Sequence, residues 1–432
     1  MSGNPEKITK KTENLEKTEK TEKTENAEPG SRNTLWVVTE LYYPEETSTG
    51  YYLTRIAEGL TEDYEVKVLC GQPNYSARGV RAPKREIHKQ VEIFRSFGTT
   101  FDKNIIFFRL INMLTLSLSI FWNALFQFKK GNRVLVVTTP PSLPFITAFA
   151  SLLRGTSYIL LIHDNYPEIL IAAEKTSAES GFVKTLNFLN RWLYKYASKI
   201  IVVGRDMEKL IERKTEGLDI PIKTIPNWAE METVEPADRA TNALLLELNL
   251  QDQFIFLYAG NMGYPNDLES VIRCAGQLKK ELPIHFIFLG NGVKRNWLER
   301  EVKKKSLTNV TILSPRPRSE QTVFLNACDV ALISLVKKMW GVSMPSRTYN
   351  ILAAGKPILA LTENLSELAQ VVAEDDVGWI VPPNAPQELL KTIRQIYLNK
   401  NKLPEMGHRA RHSAEKKYSL KTALEKYKNA IK

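Results

Sequence analysis

The stretch VSMPSRTYNILAAGKPILAL, Val342 to Leu361, decides how the chain is read. Pro345 suits the first turn of a helix, where a missing N–H costs nothing, and Tyr349, Ile351 and Leu352 follow as apolar residues. Ala353-Ala354-Gly355 closes that helix, Lys356-Pro357 stops it, and ILAL is the continuous apolar run of a buried strand. A short helix feeding a strand is the unit from which parallel sheets are built. The helix start presents Ser346, Arg347 and backbone N–H groups without partners. Such an end draws anions, and the planar arginine fork suits phosphate. Spacing alone leaves a second reading open, an ordinary αβ unit whose arginine is solvated.

Outward from that stretch the alternation repeats. On its N-terminal side FIFLYAG runs into Gly260-Asn261-Met262-Gly263 and IHFIFLG runs into Gly290-Asn291-Gly292, each with a helix after it. Either loop alone is a tight turn; two in one domain, behind the PSR helix, suit a diphosphate cradled by backbone N–H groups. NVTIL, the loop Ser314-Pro315-Arg316-Pro317-Arg318 and DVALISL complete the series. Earlier in the chain TLWVV, EVKVLC, VEIFRSF, RVLVVTT, SYILLIHD and KIIVVG form a second series, with helices between the later strands. Both series predict parallel sheets covered on two faces, whose ligands bind beyond the strand carboxyl ends. The first series opens with a strand, the loop ELYYPEETSTG and a helix near Tyr51, which brings Thr49 and Gly50 forward. At a later strand end stand His163, Asp164 and Glu168. His163 is one of five histidines, and its position suits a structural or a catalytic role. Glu168 suits a cleft position or a helix-start charge.

Length and charge set bounds. A chain of 432 residues suits two domains, and a net charge of +11 with a pI near 9.3 implies an anionic partner. The 1–33 tail repeats KTE/EKT and balances its own charge, so it is expected to be disordered and the excess belongs to the folded part. Cys70, Cys274 and Cys328 form no CxxC pair and suit reduced thiols in a cytoplasmic protein. No clustered aromatic-basic module supports nucleic acid as the partner. The acidic run Glu374-Asp375-Asp376 is expected to be a solvated face, not a metal site.

PSRxYNxLAAGKPI resembles the donor-site segment of retaining, nucleotide-sugar-dependent glycosyltransferases of family 4. Their fold is GT-B, α/β, with two Rossmann-like doubly wound parallel-sheet domains facing a cleft. HDNYPE, TTPPSLP, GNMG, LGNG and the turn within DDVGWIVPP resemble the same family, most closely its colanic-acid and exopolysaccharide branch. The likeness runs from about Trp36 to about Tyr418, nearly the whole chain beyond its tail. It implies an N-terminal acceptor-side domain over 34–225, a nucleotide-sugar domain over 226–410 and a final helix over 411–432 that crosses back. His163 then contacts the transferred sugar, while Asp164 orients its imidazole or receives the acceptor proton. Arg347 stabilises the leaving group; Gly260, Asn261, Gly263, Gly290, Asn291, Gly292, Arg316, Ser346 and Asn350 hold the donor. Thr49, Gly50 and Glu168 face the acceptor side, Gly50 letting substrate approach the backbone. Arg316 and Arg318 line the base or phosphate pocket or are solvated.

No D-x-D triplet occurs in the chain, and no metal or other cofactor is expected. Helix ends, backbone N–H groups and cations would relieve charge on the departing phosphate. Four positions depart from the family pattern. Its two glutamates fall on Val342 and Asn350, and its diphosphate-holding Arg and Lys fall on Asn261 and Asn266. Arg347, Lys337 or Lys338 would have to substitute. A non-catalytic nucleotide-sugar or partner-binding protein, or an epimerase on the same fold, therefore stays open beside the transferase.

Residues 105–128 are long and apolar enough to suggest a membrane span. A span there would part strands of one sheet, so a helix lying on the cytosolic membrane surface is expected, helped by Lys103, Arg109, Lys129, Lys130 and Arg133. A long core helix is the competing reading. Peripheral attachment would suit a lipid-linked acceptor.

Overall fold

The computed structural model describes residues 32–74, 81–101 and 106–432; most of the KTE-repeat tail and Lys103 lie outside the described residues. The first sheet holds β1 (Thr34–Val38), β2 (Glu65–Cys70), β3 (Arg85–His88), β4 (Val91–Arg95), β5 (Arg133–Val137), β6 (Ser157–Ile162), β7 (Lys199–Val202) and β8 (Ile222–Thr224). Their order is β3-β4-β2-β1-β5-β6-β7-β8, parallel except where β3 runs against β4. The second sheet holds β9 (Phe254–Ala259), β10 (Ile284–Leu289), β11 (Val310–Leu313), β12 (Val330–Ser334), β13 (Ile358–Leu361) and β14 (Gly378–Val381). Its order is β11-β10-β9-β12-β13-β14, parallel throughout.

The central strands are apolar on both faces because helices cover both. All six residues of β10, IHFIFL, are buried, and even His285 is held by Thr311 at 2.8 Å. Each sheet reverses its order once, between β1 and β5 and between β9 and β12. Loops leave such a point in opposite directions and open a crevice at the strand carboxyl ends. The crevices face each other across the linker, where Trp228 is fully buried and its carbonyl accepts from Tyr52 Oη at 3.1 Å.

The chain ends by tying the lobes together. Helix Leu403–Lys417 packs on helix Arg347–Ala353 of the second lobe. Crossing at Tyr418-Ser419, the chain forms helix Leu420–Ile431, which seats Leu424 against Gly59 and pairs Lys428 with Glu62 and Asp63 of the first lobe. Three strands go beyond the sequence expectations. β3 and β8 are short edges, REIH and IKT, and β14 was read only as a turn.

Candidate active site

A cavity of about 700 Å³ lies between the lobes at the two switch points. The second lobe lines it with Gly260, Asn261, Gly290, Asn291, Arg316, Ser346, Arg347 and Asn350; the first lobe adds Glu46, Thr47, Ser48 and Tyr52. Helix Arg347–Ala353 begins here with no side chain capping its N–H groups, and Ser346 Oγ donates to Ser48 Oγ across the gap at 3.0 Å.

Arg347 is the central cation. It lies 4.6 Å over the Tyr258 ring, with Nη1 3.5 Å from Tyr258 Oη and Nη2 3.4 Å from Asn266 Oδ1. Its Nε is buried without a partner, and among the described residues no carboxylate pairs with it. Gly260 makes this reach possible: a Cβ there would stand 2.5 Å from Arg347 Nη1. Gly290 is needed equally, since its Cβ would stand 2.0 Å from the Gly260 carbonyl, and its φ of +147° is one that side chains resist. The two loops thus stack backbone to backbone.

Other expected residues sit elsewhere. Gly263 and Gly292 lie behind the cavity wall, and the Gly292 Cα packs on the Met262 carbonyl, so their role is to shape the loops. Thr49 and Gly50 do not line the cavity. Gly50 faces the Glu45 carbonyl inside the first helical turn, and its N–H donates to the capping Thr47 Oγ1 at 3.3 Å. Glu168 is held by Lys214 at 2.7 Å and does not line this cavity. Lys337 and Lys338 line a separate cavity of about 820 Å³, so of the three proposed substitutes only Arg347 reaches the first one.

Arg316 lines the cavity but is neutralised by Glu247 at 2.8 Å and Glu320 at 3.0 Å. Asn350 also lines it, yet both of its N–H bonds are engaged, by Glu230 and Gln321, and its Oδ1 accepts from Glu230 N at 2.9 Å. Asn350, expected to hold the donor, therefore has no free N–H to offer it.

Glu230, which sequence reasoning passed over, organises this wall. It is 8% exposed, and Arg318 Nε donates to it at 2.8 Å. Arg318 in turn lies 3.9 Å over the Tyr51 ring and donates to the Glu46 carbonyl at 3.3 Å, so linker and both lobes share one ion pair. The only signal in the sequence was an acid at the end of the linker IPNWAE. Removing one partner strands a buried charge, so Arg318→Met is expected to lower stability in urea by about 3 kcal/mol. Adding Glu230→Gln should recover most of it. Equal losses in the single and double variants would show that the pair does not act as a unit.

His163 and Asp164 follow β6 and are not among the residues that line the inter-lobe cavity. They sit under the strap Gly341–Ser343, which bridges Asp164 through Ser343 and accepts Asn165 N at the Val342 carbonyl at 2.8 Å. His163 Nε2 is buried without a partner. Burial lowers the imidazole pKa to about 4 and raises the Asp164 carboxyl to about 6, the latter opposed by a hydrogen bond from Ser343. At neutral pH the imidazole is neutral and the carboxylate ionised.

The two lobes match two family models in turn. Residues 48–228 match the glycosyl transferase 4-like domain, and residues 247–413 match the glycosyl transferases group 1. The probable glycosyltransferase WbjE of Pseudomonas aeruginosa is 30% identical over 304 residues, 70% of this chain and 75% of that one. The putative colanic acid biosynthesis glycosyl transferase WcaI of Escherichia coli is 26% identical over 409 residues, 90% of this chain and 98% of that one. Among solved structures, Anabaena HepE in complex with UDP-glucose superposes with a TM-score of 0.68 at 14% identity, over 92% of this chain and 99% of that one. Sucrose-phosphate synthase from Thermosynechococcus elongatus does so with a TM-score of 0.72 at 15% identity, over 92% and 98%. The chain belongs to the group 1 glycosyltransferases, with the GT-B fold.

Proposed function

We propose that this transferase moves a sugar from a nucleoside-diphosphate donor to a lipid-linked or polysaccharide acceptor at the cytosolic face of a membrane, without a metal ion and with retention at the anomeric carbon. The observation that carries the reading is Arg347, a half-buried guanidinium with an orphaned Nε and no carboxylate partner among the described residues, at the floor of an inter-lobe cavity. A cation left without a counter-charge calls for an anion from outside. The donor diphosphate is that anion. The N-terminus of helix Arg347–Ala353, which no side chain caps, adds a fixed dipole that needs no reorganisation when the bond breaks; the N–H groups of Gly260 and Gly290 are engaged by the Leu289 and Leu313 carbonyls, so those loops shape the floor rather than donate to the diphosphate. Likeness to the colanic acid relative supports the saccharide acceptor, and retention rests on the family resemblance.

His163, neutral and missing one hydrogen-bond partner, takes a hydroxyl of the transferred sugar in this scheme, and Asp164 takes the acceptor proton.

Thermal denaturation with UDP-, GDP- and ADP-sugars in excess EDTA tests the donor class. The HepE complex makes uridine donors the first to try. A ligand at about a hundred times its Kd stabilises by about 2.7 kcal/mol, so one base should raise the melting temperature clearly and the others should not. No response to any donor overturns the nucleotide-sugar reading, and a response only after magnesium is restored overturns the metal-free one.

A further inference from the structure

We infer that three helices on one face of the first lobe form a monotopic docking surface for an anionic lipid bilayer. The inference rests on the membrane-side acceptor proposed above and deepens it by naming the surface and the lipid chemistry. The helices are Ile106–Gln127, Leu143–Arg154 and Gly181–Tyr196, which enter β5, β6 and β7 respectively. All three crossovers step the same way along the sheet, from β4 past β1 to β5 and on to β6 and β7, so right-handed connections put them on one face. Phe121 and Phe149 stack between the first two at 5.8 Å, and the second touches the third.

Helix Ile106–Gln127 is divided cleanly. Its inward side is buried and polar groups there are satisfied by the domain: Asn112 Nδ2 donates to the Phe101 carbonyl at 2.9 Å, Ser117 meets Ser142 at 2.8 Å and Asn123 Nδ2 donates to Ser96 Oγ at 3.1 Å. Leu116, Ile120 and Ala124 join the core beside them. The outward side exposes Phe107, Leu110, Leu114, Leu118, Trp122 and Phe126, one stripe at helical spacing. The most apolar stretch of this helix is only 28% buried, which is not the environment of a core helix. Phe149, Leu152 and Leu153 extend the stripe onto the second helix, and Phe182, Phe188 and Leu189 onto the third. Water-exposed apolar area of this extent marks an interface.

Charge selects the occupant. The three helices carry Arg109, Arg154, Lys184, Arg191 and Lys195 and not one Asp or Glu. Arg154, Lys184, Arg191 and Lys195 pair with no carboxylate among the described residues. Exposed apolar side chains with basic residues and no acids match the boundary between acyl chains and anionic headgroups, where such a surface lies in the interface plane rather than crossing it. Exposed Phe97 and Phe101, in the segment after β4, and Phe182 carry the apolar surface to the strand-carboxyl end of the sheet, the end that opens on the donor cavity. An acceptor anchored in the same bilayer would thus arrive at the rim of the cleft.

The test is co-sedimentation of the full chain with vesicles of phosphatidylcholine, alone or mixed equally with phosphatidylglycerol. The wild type should sediment strongly only with the mixed vesicles. The variant Lys184→Gln/Arg191→Gln/Lys195→Gln should lose about 10²-fold in partitioning, since each basic residue near an anionic surface contributes about a kcal/mol. Leu118→Glu/Trp122→Glu should abolish binding while leaving melting temperature and the nucleotide-sugar response unchanged. Wild-type protein that stays in the supernatant, or variants that bind as well as it does, overturns the inference. So does a dimer in light scattering that Leu118→Glu/Trp122→Glu converts to monomer, which would make a second copy the occupant. Vesicle binding with no response to any nucleotide sugar supports this surface and counts against the donor reading instead.

Discussion

Arg347→Ala is expected to lower turnover at least ~10²-fold, the usual cost of losing one preorganised group that stabilises developing negative charge. The structure separates this effect from loss of fold. Arg347 neutralises no acid among the described residues, so its removal strands no buried charge, unlike removal of Arg318. Melting temperature should therefore move little. Donor affinity should fall as well, but less than turnover, because charge on the leaving diphosphate grows as the glycosidic bond opens. Arg347→Lys restores charge without the planar fork, and lysine cannot stack on Tyr258 as guanidinium does, so recovery should be partial. The measurement is kcat and donor Kd for the three proteins. If Arg347→Ala retained turnover within about threefold of wild type, the cation would not be a leaving-group stabiliser of the strength assumed here.

Much of the fold was legible because its strands are buried on both sides and so appear as unbroken apolar runs such as FIFLYA and IHFIFL. The edge strands were not legible for the converse reason: REIH alternates with solvent, and IKT is too short to carry a period. The site divides the same way. Loops at strand ends, Gly260-Asn261 and Gly290-Asn291, follow from topology and did reach the cavity. Side-chain direction within a loop or first turn does not follow from topology. Ser48 lines the cavity while Thr49 does not and Gly50 faces the Glu45 carbonyl, a difference of about 100° of helix rotation per residue. Pairings between distant segments were equally hidden, since nothing near Asn350 announces that Glu230 will hold its amide. The charge balance of Arg316 and Arg318 likewise depends on acids from other segments, Glu247 and Glu230.

His163→Ala is expected to lower transfer at least ~10²-fold while leaving nucleotide affinity unchanged, because His163 does not line the nucleotide cavity. Its Nε2 is a buried polar atom without a partner, an arrangement that costs about 1–3 kcal/mol until a substrate hydroxyl completes it. Loss of nucleotide binding with the fold intact would place His163 in another role. A pH series supplies a readout independent of activity. The folded-state pKa of His163, about 4, lies below its unfolded value, so its contribution to stability is full above the unfolded pKa and is lost as pH falls toward 4. Asp164, raised to about 6, acts in the opposite sense: its ionisation in the folded state destabilises, fully above pH 6 and not at all below its unfolded pKa. The two contributions, each about 3 kcal/mol when fully developed, nearly cancel between pH 4 and 6 in the wild type. His163→Ala removes one and leaves the other. Relative to wild type, and apart from two effects independent of pH, the cavity cost and the relief of the orphaned Nε2, it should gain stability at pH 4 and none at pH 7. Asp164→Asn should gain at pH 7 and none at pH 4. Urea titrations at the two pH values decide the matter: parallel shifts for both variants would mean that neither group is desolvated by the strap, and that His163 is open to water instead of awaiting a sugar.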